Sequence, residues 1–308
     1  MSKKDKQLWL MLLPYLVGLL VLVFGPALVT LALAFTEYDL IGPPQWIGLA
    51  NFAELATSVP FRAALVNSLV FAAVAVPLRV ALALGLALLL HRRAPGAATA
   101  RTVATLPTAV PEIAYGLLWL WLLNPLYGPV NQLLRLGGEN GRTALGTAVP
   151  AWLTAPEDAR AAIIVMSLFT IGEMLVVLLA ARRALPREVH ELAALEGASA
   201  WSLARRVTLP LLSPVIALLL LRDTILSFQF SFVPALVVTE GGPPPYSTTY
   251  LPLYVYRNAF EYLRYGHAAA ATLVVLVLTA AAVAAQWLVI RRYRALAGPP
   301  RSPRVPPR

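Results

Sequence analysis

The side chains of this chain that could do chemistry are few, and they sit in an apolar setting. Glu112, Tyr115 and Trp119 fall at i, i+3 and i+7, and Asp223, Ser227 and Ser231 at i, i+4 and i+8, so each set shares one face of a helix. Aromatic rings beside hydrogen-bond acceptors suit a sugar, whose C–H faces pack on rings and whose hydroxyls need directed partners. Arg79, Glu173 and Arg222 lie in similar runs. Ionisable groups at bilayer depth cost on the order of 3 kcal/mol each on insertion scales, so those present face a bundle interior or a water-filled cavity. Two uses remain open: Glu112, Tyr115, Trp119, Asp223 and Ser227 lining a solute path, or Arg79 and Arg222 pairing with Glu112, Glu173 or Asp223 to clip helices together. An aromatic stripe at helical spacing is also ordinary packing.

Other chemistry has no residues to perform it. There is no cysteine, which excludes disulfides, thiolate metal sites and a cysteine nucleophile. His91, His190 and His267 are scattered, so no metal site is expected. The lysines are confined to Lys3, Lys4 and Lys6, and a phosphate-binding lysine after a glycine-rich loop therefore has no place in the body of the chain. No H-E-x-x-H, G-x-S-x-G or paired-carboxylate pattern is present. The expectation is a protein that is not an enzyme, has no catalytic residue and binds no cofactor of its own.

With 59% hydrophobic residues, 13% charged and a mean hydropathy of +0.71, the 308-residue chain reads as an all-α integral membrane protein. Six runs are long enough to cross a bilayer as helices, at about 8–35, 63–90, 102–123, 161–181, 211–238 and 268–290. The first is longer than a signal-peptide core and is expected to be retained. Pro14, Pro26, Pro107 and Pro111 invite kinks in the first and third runs, as simple bends or as points of opening. The net charge of +10 is sorted by loop rather than gathered on one folded face, which argues against nucleic acid. Basic residues crowd the ends that hold 1–7, 91–101, 182–210 and 291–308, so those segments, including both termini, are expected on the cytoplasmic side. The body is 8–294, and the Pro- and Arg-rich 295–308 is expected to be a disordered tail.

The polar interruption between the fourth and fifth runs, 182–210, reads as two short helices separated by Gly197, a residue free to reverse direction at positive φ. By itself this could be an ordinary amphipathic connector. Its order Glu191, Ala193, Ala194, Leu195, Glu196, Gly197, Ala198, followed by Leu209-Pro210, resembles the EAA loop of binding-protein-dependent ABC importer permeases, a coupling helix that docks on a cytoplasmic ATPase. Trp46-Ile-Gly-Leu-Ala-Asn-Phe52, Asn124-Pro-Leu-Tyr-Gly-Pro-Val-Asn131, Thr239-Glu-Gly-Gly-Pro243 and Leu253–Phe260 carry the same likeness, closest to the carbohydrate type serving maltose, other oligosaccharides and glycerol-3-phosphate. His190, Leu192 and Glu196 depart from the usual residues of that loop. The resemblance implies a permease subunit in a bacterial or archaeal cytoplasmic membrane. It also implies a second, similar permease, two ATPase subunits that hold ATP and Mg, an external solute-binding protein, and import by alternating access. The Thr239–Pro243 turn would then be an external gate or a contact for the binding protein. Alternatives are a secondary transporter driven by an ion gradient and an ABC importer for a non-sugar solute.

Overall fold

The computed structural model describes residues 3–91, 94–136, 143, 147–230 and 232–297. Apolar runs of this length become helices because a helix satisfies its backbone hydrogen bonds within one segment. Helix α1 (Lys3–Leu19) passes through a π-helical turn at Leu20–Phe24 into α2 (Gly25–Leu33). The turn lies just before Pro26, whose missing N–H disturbs the ladder there. Trp9, Leu13, Leu20 and Phe24 are exposed, and α2 packs on the last helix. A two-stranded antiparallel ribbon follows, β1 (Thr36–Glu37) with β2 (Gln45–Trp46). Helix α3 (Ala50–Thr57) leads into α4 (Val59–Leu90), capped by Ser58, whose Oγ accepts from the Phe61 N–H.

Two of the expected continuous spans are broken. Helix α5 (Ala97–Thr105) runs through a 3-10 turn at Leu106–Ala109, and α6 (Glu112–Leu122) then leaves at 106°. The reason is legible: Val110 precedes Pro111 and takes the extended conformation that a proline imposes on its predecessor. After α7 (Pro129–Arg135), α8 (Pro156–Leu168) and α9 (Gly172–Arg183) meet at 41° with no proline between them. Ala155 is the N-cap of α8, and Asp158 of its first turn accepts from the Ala151 N–H at 2.7 Å. The connector holds α10 (Arg187–Leu195) and α11 (Ala200–Leu203), but α11 continues through a π-helical turn at Ala204–Thr208 into α12 (Leu209–Phe230). That turn bonds the Leu209 N–H to the Ala204 carbonyl, a register that accommodates Pro210. Then come α13 (Phe232–Thr239), α14 (Leu251–Tyr256), a third π-helical turn at Arg257–Glu261, and α15 (Tyr265–Ala297). Among the described residues, four helices are long and apolar enough to cross a membrane, or up to six if each bent pair is one span. Gly137-Gly138, Ser231 and the 298–308 part of the expected tail lie outside the described residues.

Helix α4 is the hub, packed on α8, α9 and α12. Its Ala64, Ala75, Ala83 and Ala87 are buried, and small side chains let neighbouring backbones approach. Ala83 and Ala87 meet Leu175 and Leu178 of α9 and Leu219 of α12. At the ribbon end, Asn51 Nδ2 donates to the carbonyls of Ala34 (3.0 Å) and Thr36 (2.9 Å), tying α3 to the end of α2. The start of α15 passes so close to the ribbon that a Cβ on Gly266 would lie 1.9 Å from the Thr36 carbonyl oxygen. Arg264 donates to both carboxylate oxygens of Glu54, at 2.7 and 2.6 Å, closing the same corner.

Two outcomes follow. Gly266→Ala forces backbone apart and should lower the melting temperature of the purified protein, an overpacking cost of about 1–3 kcal/mol, whereas Gly85→Ala, which meets nothing within 4 Å, should be silent; equal melting temperatures would refute the close approach. The hydrogen bond from Arg264 holds the Glu54 carboxyl below its ordinary range. Its stabilisation is therefore present above the ordinary carboxylate pKa of about 4.3 and lost as pH falls through the lowered folded value. Melting curves of wild type and Glu54→Gln should differ at neutral pH and converge on acidification.

Candidate functional site

The two helix breaks lie side by side. A Cβ on Gly172, the first residue of α9, would sit 2.8 Å from the Thr105 Cα and equally near the Thr108 methyl, so only glycine lets the α8–α9 break pass under the α5–α6 break. Beside them opens a cavity of about 390 Å³. Thr108, Glu112 and Tyr115 wall it from one break, Thr170, Glu173 and Met174 from the other, and Arg79, Arg222, Asp223 and Gln229 close it from α4 and α12. Irregular backbone at membrane depth persists only where it is buried in protein or lines a water-filled space. Glu112 and Glu173 occupy the first turns of α6 and α9, where a carboxylate faces the positive end of the helix dipole.

The charges are unequal in setting. Arg79 on α4 lies 3.1 Å from Asp223 on α12, donates to Ser227 Oγ, and stands over the Phe71 ring at 5.6 Å. Both side chains of the pair are about 5% exposed or less. Ser227 Oγ in turn donates to the Asp223 carbonyl at 2.7 Å. Arg222 and Glu173 pair at 2.7 Å but stay open to the cavity. Glu112 forms no ion pair or hydrogen bond among the described residues and is exposed.

Of the five residues singled out for the solute path, Glu112, Tyr115 and Asp223 reach the cavity wall. Trp119 does not; it is packed between Tyr115 and Phe169, with ring centroids 6.2 and 5.2 Å away. Ser227 lies behind the wall beneath Arg79. The Tyr115 hydroxyl donates to the Met166 carbonyl at 2.6 Å, and so ties α6 to the end of α8. Gln229, Thr108, Thr170 and Phe232 also line the cavity and had no distinguishing pattern, except that Leu226, Gln229 and Val233 repeat at helical spacing one face away from Ser227.

The connector is an exposed helical pair. The chain reverses at Gly197, φ +75°, and the Ala198 N–H returns to the Ala193 carbonyl at 3.0 Å, the long bond of a Schellman closure. Nothing surrounds Gly197 within 4 Å of where a Cβ would be, so its requirement is conformational alone. Ser199 caps α11 by accepting from the Ser202 N–H. Glu191 and Glu196 are exposed, and so are Leu192, Leu195 and Trp201, apolar groups on an otherwise polar segment. Ala193 and Ala198 are half-buried; the Ala194 side chain lies outside the described residues.

The Thr239–Pro243 turn is locked. Glu240, Gly241 and Gly242 all have positive φ, Arg257 donates to the Glu240 carbonyl at 2.7 Å, and the Gly241 carbonyl accepts from the Thr248 N–H and the Thr249 hydroxyl. A Cβ on Gly242 would lie 2.5 Å from the Ser247 and Thr248 hydroxyl oxygens. Asn67 of α4 clamps the far side by donating to the carbonyls of Tyr246 and Thr249.

Residues 78–295 match the model of the family described as the binding-protein-dependent transport system inner membrane component. The probable ABC transporter permease protein YesP of Bacillus subtilis (strain 168) is 31% identical over 86% of this chain and 84% of its own. The trehalose/maltose transport system permease protein MalF of Thermococcus litoralis is 29% identical over 88% of each. Among solved structures, a chain of a bacterial ABC transporter involved in the import of the acidic polysaccharide alginate superposes with a TM-score of 0.81 and 27% identity, over 94% of this chain and 96% of that one. A match over most of the length in sequence and backbone, on a chain of apolar helices, places this multi-pass membrane protein in the family of binding-protein-dependent transport system inner membrane components.

Proposed function

We propose that this chain is a permease subunit of an ATP-driven importer that moves a sugar or related polyol across a bacterial or archaeal cytoplasmic membrane. The observation that carries the proposal is the cavity walled by two broken helices, since discontinuous helices near the midplane are where membrane transporters build their solute sites. Counting each bent pair as one span gives six, and the distribution of arginines supports a cytoplasmic side for both termini and the 182–210 connector. There the exposed Leu192, Leu195 and Trp201, flanked by Glu191 and Glu196, offer an apolar anchor with an acidic rim to an ATPase subunit. The solute class is supported by relatives named for trehalose/maltose, starch degradation products and sn-glycerol-3-phosphate, and by a solved relative in complex with a pentasaccharide-bound periplasmic protein. The working assembly has a second permease completing the cavity, two ATPases holding ATP and Mg, and an external binding protein that delivers solute. Alternating access then turns on the breaks.

Arg79 and Asp223 serve as scaffold for the cavity, because removing one member of a buried pair costs about 3–5 kcal/mol. Tyr115 and Ser227 are bonded to protein groups, so Tyr115→Phe and Ser227→Ala disturb packing as well as any solute contact.

The experiment is uptake by the reconstituted importer. Gly197→Pro, whose ring cannot reach φ +75°, should abolish ATP-dependent uptake while the subunit remains in the membrane; Gly197→Ala, which costs about 1–2 kcal/mol at positive φ, should retain part of it. Wild-type uptake by Gly197→Pro would remove the connector from the mechanism, and uptake that persists without the ATPase but collapses with an uncoupler would replace the importer by an ion-driven carrier. Glu191→Lys should weaken recovery of the ATPase with the permease by about tenfold, the worth of one charge-assisted contact; undiminished recovery with normal coupling would contradict its role.

A further inference from the structure

Five ionisable side chains face the cavity, and four of them compensate one another: Arg79 with Asp223, and Arg222 with Glu173. Glu112 is the fifth, exposed and without a partner among the described residues. Among the neutral polar groups, Gln229 brings amide donors as well as an acceptor but no charge, and the hydroxyl protons are already engaged. The hydroxyl of Tyr115 donates to the Met166 carbonyl at 2.6 Å, that of Thr108 to Thr105 at 2.6 Å and that of Thr170 to Ser167 at 2.9 Å. Each hydroxyl carries one proton, so these three turn only lone pairs to the cavity. The positive ends of α6 and α9 also fall here, each worth about half a unit charge and each faced by the carboxylate of its own first turn. The wall therefore holds one carboxylate beyond its paired charges, whose full charge exceeds that of the helix end beside it.

Resting on the reading that the solute occupies this cavity, we infer that Glu112 is the charge selector of the permease, favouring a sugar that bears a protonated amine over a neutral sugar and rejecting a sugar acid. An ammonium brings three donors and no acceptor, which complements the wall; a carboxylate brings only acceptors and meets like charge. A charge-assisted hydrogen bond to an ammonium is worth about tenfold or more in affinity.

The test uses the intact importer, permease pair with ATPase subunits, purified without the binding protein, and three probes with one pyranose ring and different charge: glucosamine, glucose and glucuronate at pH 7. Calorimetric titration should rank glucosamine about tenfold above glucose and find no glucuronate binding. Glu112→Gln should erase the preference, so that this variant binds glucosamine no more tightly than it binds glucose, and Glu112→Arg should place glucuronate first. If wild type ranks the probes equally, or Glu112→Gln preserves the ranking, selection by Glu112 is overturned while bound glucose keeps the sugar cavity. A drop in melting temperature with an unaltered ranking assigns Glu112 to the helix start alone and overturns it too. Failure of all three probes to bind overturns both the selector and the cavity reading.

Discussion

The constraint on which the structure depends is that a backbone N–H or C=O in hydrocarbon must find its partner within protein. It makes the apolar runs helical, and it makes each departure from the helix informative. The chain departs at Leu106–Pro111 and at Phe169–Ile171, and residues of both departures, Pro107, Thr108, Val110 and Thr170, line the cavity. Gly172 brings the two departures together, so one missing side chain joins two separate elements into one site. The π-helical turns before Pro26 and Pro210 solve the same problem differently, by shifting the hydrogen-bond register while the helix goes on.

The two ion pairs of the cavity differ in burial, and so in how strongly they hold their helices together. Arg79–Asp223 is buried between α4 and α12 and shares Ser227, so separating those helices would strand charges in a low-dielectric interior. Arg222–Glu173 is open to the cavity, where an ion pair is worth about 0–1 kcal/mol, so it binds α9 to α12 only weakly.

The short phrases that carry the family resemblance serve the fold directly. Asn51 holds the end of α2 by its carbonyls. Asn124 accepts from the N–H groups of Leu126 and Tyr127, and Gly128 folds back where a Cβ would lie 2.4 Å from the Asn124 carbonyl oxygen. Asn131 then accepts from Trp152 Nε1 at 2.8 Å. Gly241 and Gly242 hold a turn that Arg257 and Asn67 lock in place, which suits a fixed contact surface better than a swinging gate.

The order of residue types alone determined the helical class, the six apolar runs and the reversal at Gly197, because burial in hydrocarbon and freedom at positive φ are properties of residues and their order. It also marked Pro111 as a place of bending, through the conformation that proline imposes on its neighbour. Which carboxylate each arginine takes was not legible, since Glu112, Glu173 and Asp223 lie in three separate elements and no local pattern selects among them; the packing of α4 between α9 and α12 decided it. The same packing turned Leu226 and Gln229 toward the cavity and Ser227 away, a rotation of one face that the spacing of polar residues could not reveal. The break at Phe169–Ile171 has no proline to announce it and depends on Thr105 and Thr108 pressing against Gly172, residues more than sixty positions away. Sequence thus determined what each segment is, and tertiary structure decided which charges face one another, because electrostatic pairing depends on distance in space rather than along the chain.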